Sequence, residues 1–279
     1  MITPAERDTI AEYGYLPEHV VPYVTAVSGA EPFLMDDFLV YFGNRRLIFV
    51  GYPLNDTFEE KKLQKTLDRA TKRFKPDEVA LMTPGPLPSF SGREAQPGDN
   101  YYRLDLSAIP LSQKLRNMIK RANRDLSVRM SAAFTPEHGQ LVHEFLEAHP
   151  VDAATRTIVQ SIPDYLAAAS TAVLFEARRN NGALVAFDVF EFGPRHYGLY
   201  MFNFSSRDRY VPGVSDLLLF EGVKHALAQR KHYVNLGLGI NTGVVFFKTK
   251  WGGVPFTPHM FYLYKKPQKL GLETLLQKL

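Results

Sequence analysis

The sequence has no cysteine among its 279 residues. This absence excludes disulfide bonds, thiolate metal ligands and cysteine nucleophiles, so covalent chemistry would need another side chain. The eight histidines do not pair with acids at the spacing of a metal site. We therefore also expect no catalytic metal.

Long hydrophobic runs are absent as well. The run Leu184–Phe190 is interrupted by Asp188 and is far shorter than the about 20 apolar residues that a membrane-spanning helix needs. The first ten residues carry three charged side chains and no apolar block, unlike a signal peptide. We therefore expect no stable membrane insertion and a cytoplasmic location.

The composition is that of a folded globular protein. Hydrophobic residues make up 45% and charged residues 22%, with 19 glycines and 19 prolines, which argues against disordered, collagenous and coiled-coil classes. The length corresponds to one large domain or two small ones. A net charge of +4 permits an anionic partner but does not by itself indicate nucleic-acid binding.

Residues 1–106 have the pattern of a small mixed α/β unit. Its predicted elements are the hairpin strands Phe38–Phe42 and Leu47–Tyr52, a helix over 56–74, and the strands Val79–Met82 and Tyr101–Leu106. Proline, glycine, serine and charged residues dominate positions 84–99, where we expect a mobile loop. We place a domain boundary after residue 106 and treat the first unit as an accessory half.

Residues 107–279 follow a different order of elements. The predicted elements are helix Leu111–Arg124, strand Leu126–Ala132, helices Pro136–Ala148 and Asp152–Ala168, strands Ala172–Arg179, Ala183–Phe192 and His196–Ser205, helix Val214–Gln229, strand Val234–Leu238, a short helix at Thr242–Thr249 and strand Phe256–Tyr264. The three central strands form an antiparallel meander, and the charged tail is predicted as a last helix. Hairpin, helix and strand recur in both halves, as in a diverged duplication.

This second order of elements resembles the GNAT acyltransferase fold, a mixed, mainly antiparallel sheet flanked by helices. The segment from Tyr200 to Ser215 occupies the position of the GNAT pyrophosphate loop, where N–H groups at a helix start hold cofactor phosphates. The resemblance implies that the cofactor contacts Met201, Phe202, Asn203, Arg209, Val211, Gly213, Val214 and Ser215. Gly213 stands alone where the family has paired glycines, and Pro212 removes one N–H donor.

Two further segments resemble the Fem-like (FemABX-type) branch of this superfamily. A predicted strand ends in glycines at Asn235-Leu236-Gly237-Leu238-Gly239, and Phe247-Lys248 and Trp251-Gly252-Gly253 follow. The resemblance implies donor contacts for Asn235, Gly237 and Lys248. The basic residues Arg116, Lys120, Arg121 and Arg124 are similar to those of the helix that opens the catalytic half in that branch, where they would bind an anionic substrate.

The resemblance implies an N-acyltransferase that passes an acyl group directly to an amine, on a small molecule or a peptide. The expected donor is acyl-CoA, which is the commonest in the superfamily, or a related acyl carrier. Aminoacyl-tRNA is the alternative, since Fem-like members transfer aminoacyl groups from charged tRNA to a peptidoglycan precursor. A non-catalytic binding module on the same fold is a third alternative, and the sequence leaves the oligomeric state open.

Direct transfer needs a group that takes or returns the proton of the amine. The first candidates are Asp188, Tyr200 and Tyr210. Glu191 and His196 are further candidates. On an alternating strand Asp188 shares a face with Ala186 and Phe190, so we expect apolar surroundings to raise its pKa. Structural roles explain other features equally well: the basic helix as a hydrated surface, Lys248 as a surface residue, and Gly237 as part of a simple turn.

Overall fold

The computed structural model describes residues 2–55, 57–87, 94–95 and 98–265. In these residues the chain forms a twelve-stranded mixed sheet with helices on both faces. Half of the loop expected over residues 84–99, and the tail predicted as a last helix, lie outside the described residues. No helix of the described part is both long and apolar enough to cross a membrane.

The first half contains three α-helices and six strands among its described residues. They are α1 (Pro4–Tyr13), a short 3-10 helix (Pro17–His19), α2 (Val21–Ser28), β1 (Glu31–Met35), β2 (Phe38–Gly43), β3 (Arg46–Val50), α3 (Glu60–Phe74), β4 (Glu78–Thr83), β5 (Glu94–Ala95) and β6 (Asp99–Asp105). The hairpin, α3, β4 and β6 match the sequence-based expectation within a few residues. The first four elements are not among the predicted ones, and neither is β5, which lies in the stretch expected to be a loop.

The second half follows the predicted order. Its elements are α4 (Gln113–Asp125), β7 (Leu126–Ser131), α5 (Pro136–Ala148), α6 (Ala153–Gln160), α7 (Ile162–Ala168), β8 (Ala172–Arg179), β9 (Leu184–Glu191), β10 (Tyr197–Ser205), α8 (Val214–Ala228), β11 (Tyr233–Leu238), α9 (Thr242–Lys250) and β12 (Val254–Lys265). The single helix predicted over residues 152–168 is two helices. Pro163 lies in the first turn of α7, where its missing N–H interrupts the helical hydrogen bonding.

The strand order is β1-β2-β3-β4-β12-β6-β11-β10-β9-β8-β7, and β5 pairs with β12 at the side. Two pairs are parallel: β3 with β4 across α3, and β10 with β11 across α8. Each half therefore contains the same strand-helix-strand unit. The halves meet where β6 pairs with both β11 and β12, so the sheet continues across the boundary predicted after residue 106. That boundary stays a prediction.

Strand alternation distributes the core over the two faces of the sheet. Along β9, Ala186 and Phe190 pack with α4 and α8, whereas Phe187 and Val189 pack with α5 and α7. In the first half, α3 covers one face, and α1 and α2 cover the other. The strand β9 is buried along its whole length, so a polar side chain on it lies in the interior.

Candidate functional site

The parallel strands β10 and β11 separate towards their carboxyl ends. Their pairing joins Tyr197–Leu199 to Tyr233–Asn235 and ends there, and each strand then has a bulge. Within the described part of the chain, the edge of β10 beyond Leu199 that faces β11 has no strand partner. Unpaired N–H and C=O groups on such an edge can bind another extended group. We call the gap between Tyr200–Asn203 and Leu236–Leu238 the wedge.

Gly237 marks the narrow end of the wedge. It has φ of +78°, a conformation that favours glycine. A Cβ at this position would lie 3.5 Å from Lys248 Nζ and 3.9 Å from the carbonyl oxygen of Tyr200. The Gly237 N–H donates to Asn235 Oδ1 at 2.8 Å, and Asn235 Nδ2 donates to the carbonyl oxygen of Tyr15 at 2.7 Å. The N-terminal segment thus holds this end of β11 in place.

Lys248 brings a positive charge to the wedge. It is the buried residue of α9, and its Nζ donates to the carbonyl oxygen of Leu238 and lies 5.8 Å from the Tyr102 ring centroid. Burial lowers the pKa of Lys248 to about 8, although the charge of Asp99 opposes this shift. The outward face of the same helix carries Phe246, which is 68% exposed. The helix therefore buries its lysine and exposes an aromatic ring, the reverse of the usual distribution.

A chain of polar side chains connects β9 with the first turn of α8. Asn203 Nδ2 donates to Asp188 Oδ1, and Ser215 Oγ donates to Asn203 Oδ1 at 3.3 Å. Asp188 is fully buried, and desolvation raises its pKa well above the usual value, with Asn203 and Tyr200 offsetting part of the effect. In the described part of the chain its Oδ2 has no hydrogen-bond partner. The carboxyl group is therefore suited to hold a proton.

The other candidate acids and hydroxyls lie in different surroundings. Burial, followed by the charge of Asp188, raises the pKa of Tyr200 well above its usual value. Tyr210 lies in the loop before α8 and is 56% exposed. Glu191 accepts hydrogen bonds from Tyr165 Oη and the Gly193 N–H, both at 2.7 Å, and the His196 ring stacks on His232. The structure brings Asp188 and Tyr200 together, and the catalytic roles stay predictions.

At the start of α8 one N–H group is already hydrogen-bonded and one position has no N–H. Gly213, with φ of +86°, packs against α4 so closely that a Cβ there would lie 3.0 Å from the carbonyl oxygen of Met118. The Val214 N–H donates to the carbonyl oxygen of Val211 at 3.1 Å, and Pro212 has no N–H. Occupied and missing donors weaken the anion-binding capacity of a helix start.

Charged side chains near this helix start also differ from the sequence-based expectation for a phosphate loop. Asp216 lies in the first turn of α8, where a negative charge interacts favourably with the helix dipole. It accepts hydrogen bonds from Trp251 Nε1 at 2.9 Å and from Lys250 Nζ at 2.6 Å. The guanidinium of Arg209 lies 3.6 Å from Glu144 of α5. These contacts tie the surrounding helices together.

The exposed face of α4 is basic. Arg116, Lys120, Arg121 and Arg124 all point to solvent, while Leu115, Ile119 and Ala122 pack into the core. No ion pair within the described residues involves these four cations. By contrast, Lys62 and Arg69 of α3 pair with Asp37 and Asp36. The positive charge of α4 is therefore not neutralised by neighbouring side chains.

A cavity of about 470 Å³ lies at the carboxyl ends of β3 and β4. Its lining includes the aromatic residues Tyr13, Tyr15, Tyr52, Phe58, Tyr197 and Phe256, with Glu12 and His196 beside them. Because β3 and β4 form the parallel pair of the first half, the cavity takes the place that the wedge takes in the second half. Carboxyl ends of parallel strands are frequent ligand sites in α/β sheets.

The N-terminal segment contributes residues that the sequence analysis missed. Tyr15 lines the cavity, and one carboxylate oxygen of Glu18 is buried near Tyr101 of β6. Local periodicity could not indicate these contacts, because the segment between α1 and α2 is short and irregular and reaches the sheet only in the folded chain. Among the described residues, no group of three or more acids and histidines could hold a metal ion.

No protein-family model and no curated protein match the chain. Solved structures do share its architecture. L-PGS from Bacillus licheniformis is 15% identical with a TM-score of 0.60, over 99% of this chain and 96% of that one. FemX is 12% identical with a TM-score of 0.60, over 97% and 98%. A GCN5-related N-acetyltransferase from Kribbella flavida is 10% identical with a TM-score of 0.53, over 91% and 98%. The chain therefore has a GNAT-type fold in its Fem-like form.

Proposed function

We propose that the chain is an acyltransferase that joins an acyl group to an amine, with the wedge as the reaction site. The observation that carries this proposal is the separation of β10 from β11 after Leu199, which leaves an unpaired strand edge beside the amine of Lys248. An extended acyl donor can add to such an edge by backbone hydrogen bonds. One solved structure of similar fold is named as an N-acetyltransferase.

The chemistry requires few groups. The amine nitrogen attacks the acyl carbon, a C–N bond forms, and the carbonyl oxygen takes up negative charge. The bond to the leaving oxygen or sulfur then breaks, and the proton lost from nitrogen passes to the leaving atom. Lys248, protonated for the most part at neutral pH, is placed to stabilise the negative oxygen. Asp188 acts through Asn203 to hold the edge of β10.

Of the two donors considered, aminoacyl-tRNA fits the described residues better than acyl-CoA. The Val214 N–H at the start of α8 is already bonded and Pro212 has none, which leaves fewer donors for a pyrophosphate. The basic face of α4 offers lysine and arginine side chains that form no ion pair with the residues the structure describes, and such cations bind nucleic-acid phosphates without reading sequence. We therefore propose an aminoacyl ester of tRNA as the donor.

Product analysis with both donors tests this proposal. The protein is incubated with benzylamine and either charged tRNA or acetyl-CoA, and amides are detected by mass spectrometry. We expect the amide from charged tRNA. An amide formed from acetyl-CoA alone would show that the donor is acyl-CoA and not charged tRNA. If neither donor yields an amide across a panel of amines, the proposal that the chain is an acyltransferase is wrong.

A further inference from the structure

Asn235 lies at the point where the two strands of the wedge separate. It is the last residue of β11 that pairs with β10, opposite Leu199, and it is buried. Its Oδ1 accepts the Gly237 N–H at 2.8 Å, and its Nδ2 donates to the carbonyl oxygen of Tyr15 at 2.7 Å. An N–H can only donate and a carbonyl can only accept, so these two contacts fix the orientation of the side-chain amide.

His19 extends this series of hydrogen bonds on the other side of Tyr15. The Tyr15 N–H donates to His19 Nδ1 at 3.3 Å, and His19 Nε2 lies 3.2 Å from the carbonyl oxygen of Tyr52. Nδ1 is therefore the acceptor, and Nε2 carries the proton. Burial lowers the pKa of His19 to about 4, so the ring is neutral near neutral pH and makes both contacts.

The four hydrogen bonds form a chain between the two halves of the molecule. The chain begins at Tyr52, just after β3, and ends at Gly237 in the wedge. It crosses from the first half to the second between Tyr15 and Asn235, which are 220 positions apart in the sequence. We call these four contacts the hydrogen-bond chain.

The segment between α1 and α2 is anchored to the first half by two further contacts. The Tyr15 hydroxyl donates to the carbonyl oxygen of Pro53 at 3.4 Å. The Tyr41 hydroxyl of β2 donates to the carbonyl oxygen of Glu18 at 3.0 Å. The Tyr15 carbonyl is therefore a fixed point to which Asn235 ties β11.

The contacts of Asn235 favour the separation of β11 from β10. The register of β11 changes between Asn235 and Gly237, and Gly237 has φ of +78°. A side-chain acceptor satisfies the Gly237 N–H without the carbonyl of a neighbouring strand. Gly237 can therefore depart from regular strand geometry, which leaves the gap beside Lys248.

We propose that Asn235 and His19 are positioning residues for acyl transfer, because the hydrogen-bond chain ties β11 to the first half and keeps the wedge open beside Lys248. Asn235 then acts through Gly237 and not by contact with the donor, the role that the family resemblance implies. The effect on transfer rests on the proposed function, whereas the effect on the shape of the wedge does not. The first half thus contributes to the reaction site.

Amide hydrogen exchange at Gly237, measured by NMR without any donor, tests the shape of the wedge. His19→Gln keeps an N–H donor for the Tyr52 carbonyl but has no acceptor at the position of Nδ1. His138→Gln is the matched control, because His138 is also buried and its Nδ1 also accepts a backbone N–H, that of Thr135 at 3.0 Å. We expect exchange at Gly237 to be about fivefold faster in His19→Gln, roughly the effect of one lost hydrogen bond, and unchanged in His138→Gln.

Transfer from charged tRNA to benzylamine tests the positioning role. Displacing reacting groups by about 1 Å can lower a rate about a hundredfold. We expect kcat to fall roughly tenfold or more in His19→Gln, with KM for benzylamine within about twofold of wild type. His138→Gln should keep the kcat of the wild type. A variant that had lost only stability would keep its kcat at temperatures well below its melting temperature.

Unchanged exchange at Gly237 in His19→Gln, or an unchanged kcat, overturns the proposal. If His19→Gln does not fold, the kcat of Asn235→Ala decides in the same way, since alanine removes both contacts of the amide. If exchange responds to His19→Gln but the wild type yields no amide from either donor, the hydrogen-bond chain stands and the proposed function fails.

Discussion

Lys248 Nζ donates a hydrogen bond to the carbonyl oxygen of Leu238, so the end of α9 is tied to the last residue of β11. The contact holds a cation where β11 has separated from β10. Taking an ammonium group out of water costs free energy, and the lowered pKa of Lys248 measures part of that cost. A chain that needed only to close this surface could use an apolar residue. Asp99 supplies one nearby negative charge, and the proposed function adds a second, the oxygen that becomes negative during transfer.

The titration of Lys248 predicts opposite pH trends for stability and rate. Its pKa is about 8 in the folded chain and 10.5 for an unburied lysine, so the unfolded chain binds more protons between these values. The free energy of unfolding should therefore gain a contribution of about 3 kcal/mol as pH rises through this window. The rate of acyl transfer should fall above pH 8 as the ammonium is lost. Denaturant unfolding of wild type and Lys248→Met measures the first trend, which the variant should lack.

Gly237→Ala should abolish acyl transfer and lower the free energy of unfolding only moderately. Alanine at φ of +78° is strained by about 1 kcal/mol, and its Cβ would enter the wedge between Lys248 and Tyr200. Gly182→Ala is the matched control, because its φ is +86° and a Cβ there would meet nothing within 4 Å. Both variants should lose similar stability in urea unfolding. Equal transfer rates for the two would contradict the position of the reaction site.

The basic face of α4 predicts salt-sensitive binding of tRNA. Replacing Lys120, Arg121 and Arg124 by glutamine should lower the slope of log affinity against log salt by about 2 to 3 in magnitude, since each phosphate contact contributes about 0.9. Replacement of Lys61, Lys65 and Lys72 on the exposed side of α3 removes the same charge and is the control. Fluorescence anisotropy over about 50 to about 200 mM salt measures both. Similar slopes for the two triple variants would contradict the assignment of α4.

Asp188→Asn should change how the free energy of unfolding depends on pH and should leave the fold intact. Because the pKa of Asp188 is raised, the folded chain binds more protons than the unfolded chain above the usual pKa, and stability falls as pH rises through that range. Asparagine keeps an acceptor for Asn203 and does not titrate. The difference in free energy of unfolding between variant and wild type should therefore shift in favour of the variant from pH 4 towards neutral pH. A constant difference would show that Asp188 does not have a raised pKa.

Local patterns predicted much of the second half. The helix α5 was expected from Pro136 to Ala148 because Pro136 suits a first helical turn, and the structure has these bounds. The burial of Asp188 followed from its alternation with Ala186 and Phe190. Such features depend on neighbours within a few residues, which the sequence displays directly.

Features that depend on distant pairing could not be predicted in the same way. Glu18 and Tyr101 are 83 positions apart in the sequence and meet only because β6 pairs between β11 and β12. Nothing in the short segment around Glu18 indicates a buried acid. The close packing of Gly213 against α4 was also hidden, since it joins segments that are far apart in the sequence.

The central claim is that acyl transfer takes place in the wedge beside Lys248. Its most direct test is the rate of benzylamide formation from charged tRNA by wild type, Lys248→Met and the exposed control Lys224→Met on α8. We expect the rate to fall about a hundredfold in Lys248→Met, as for the loss of one group that stabilises an oxyanion, and to be unchanged in Lys224→Met. Equal rates in all three proteins would contradict the claim.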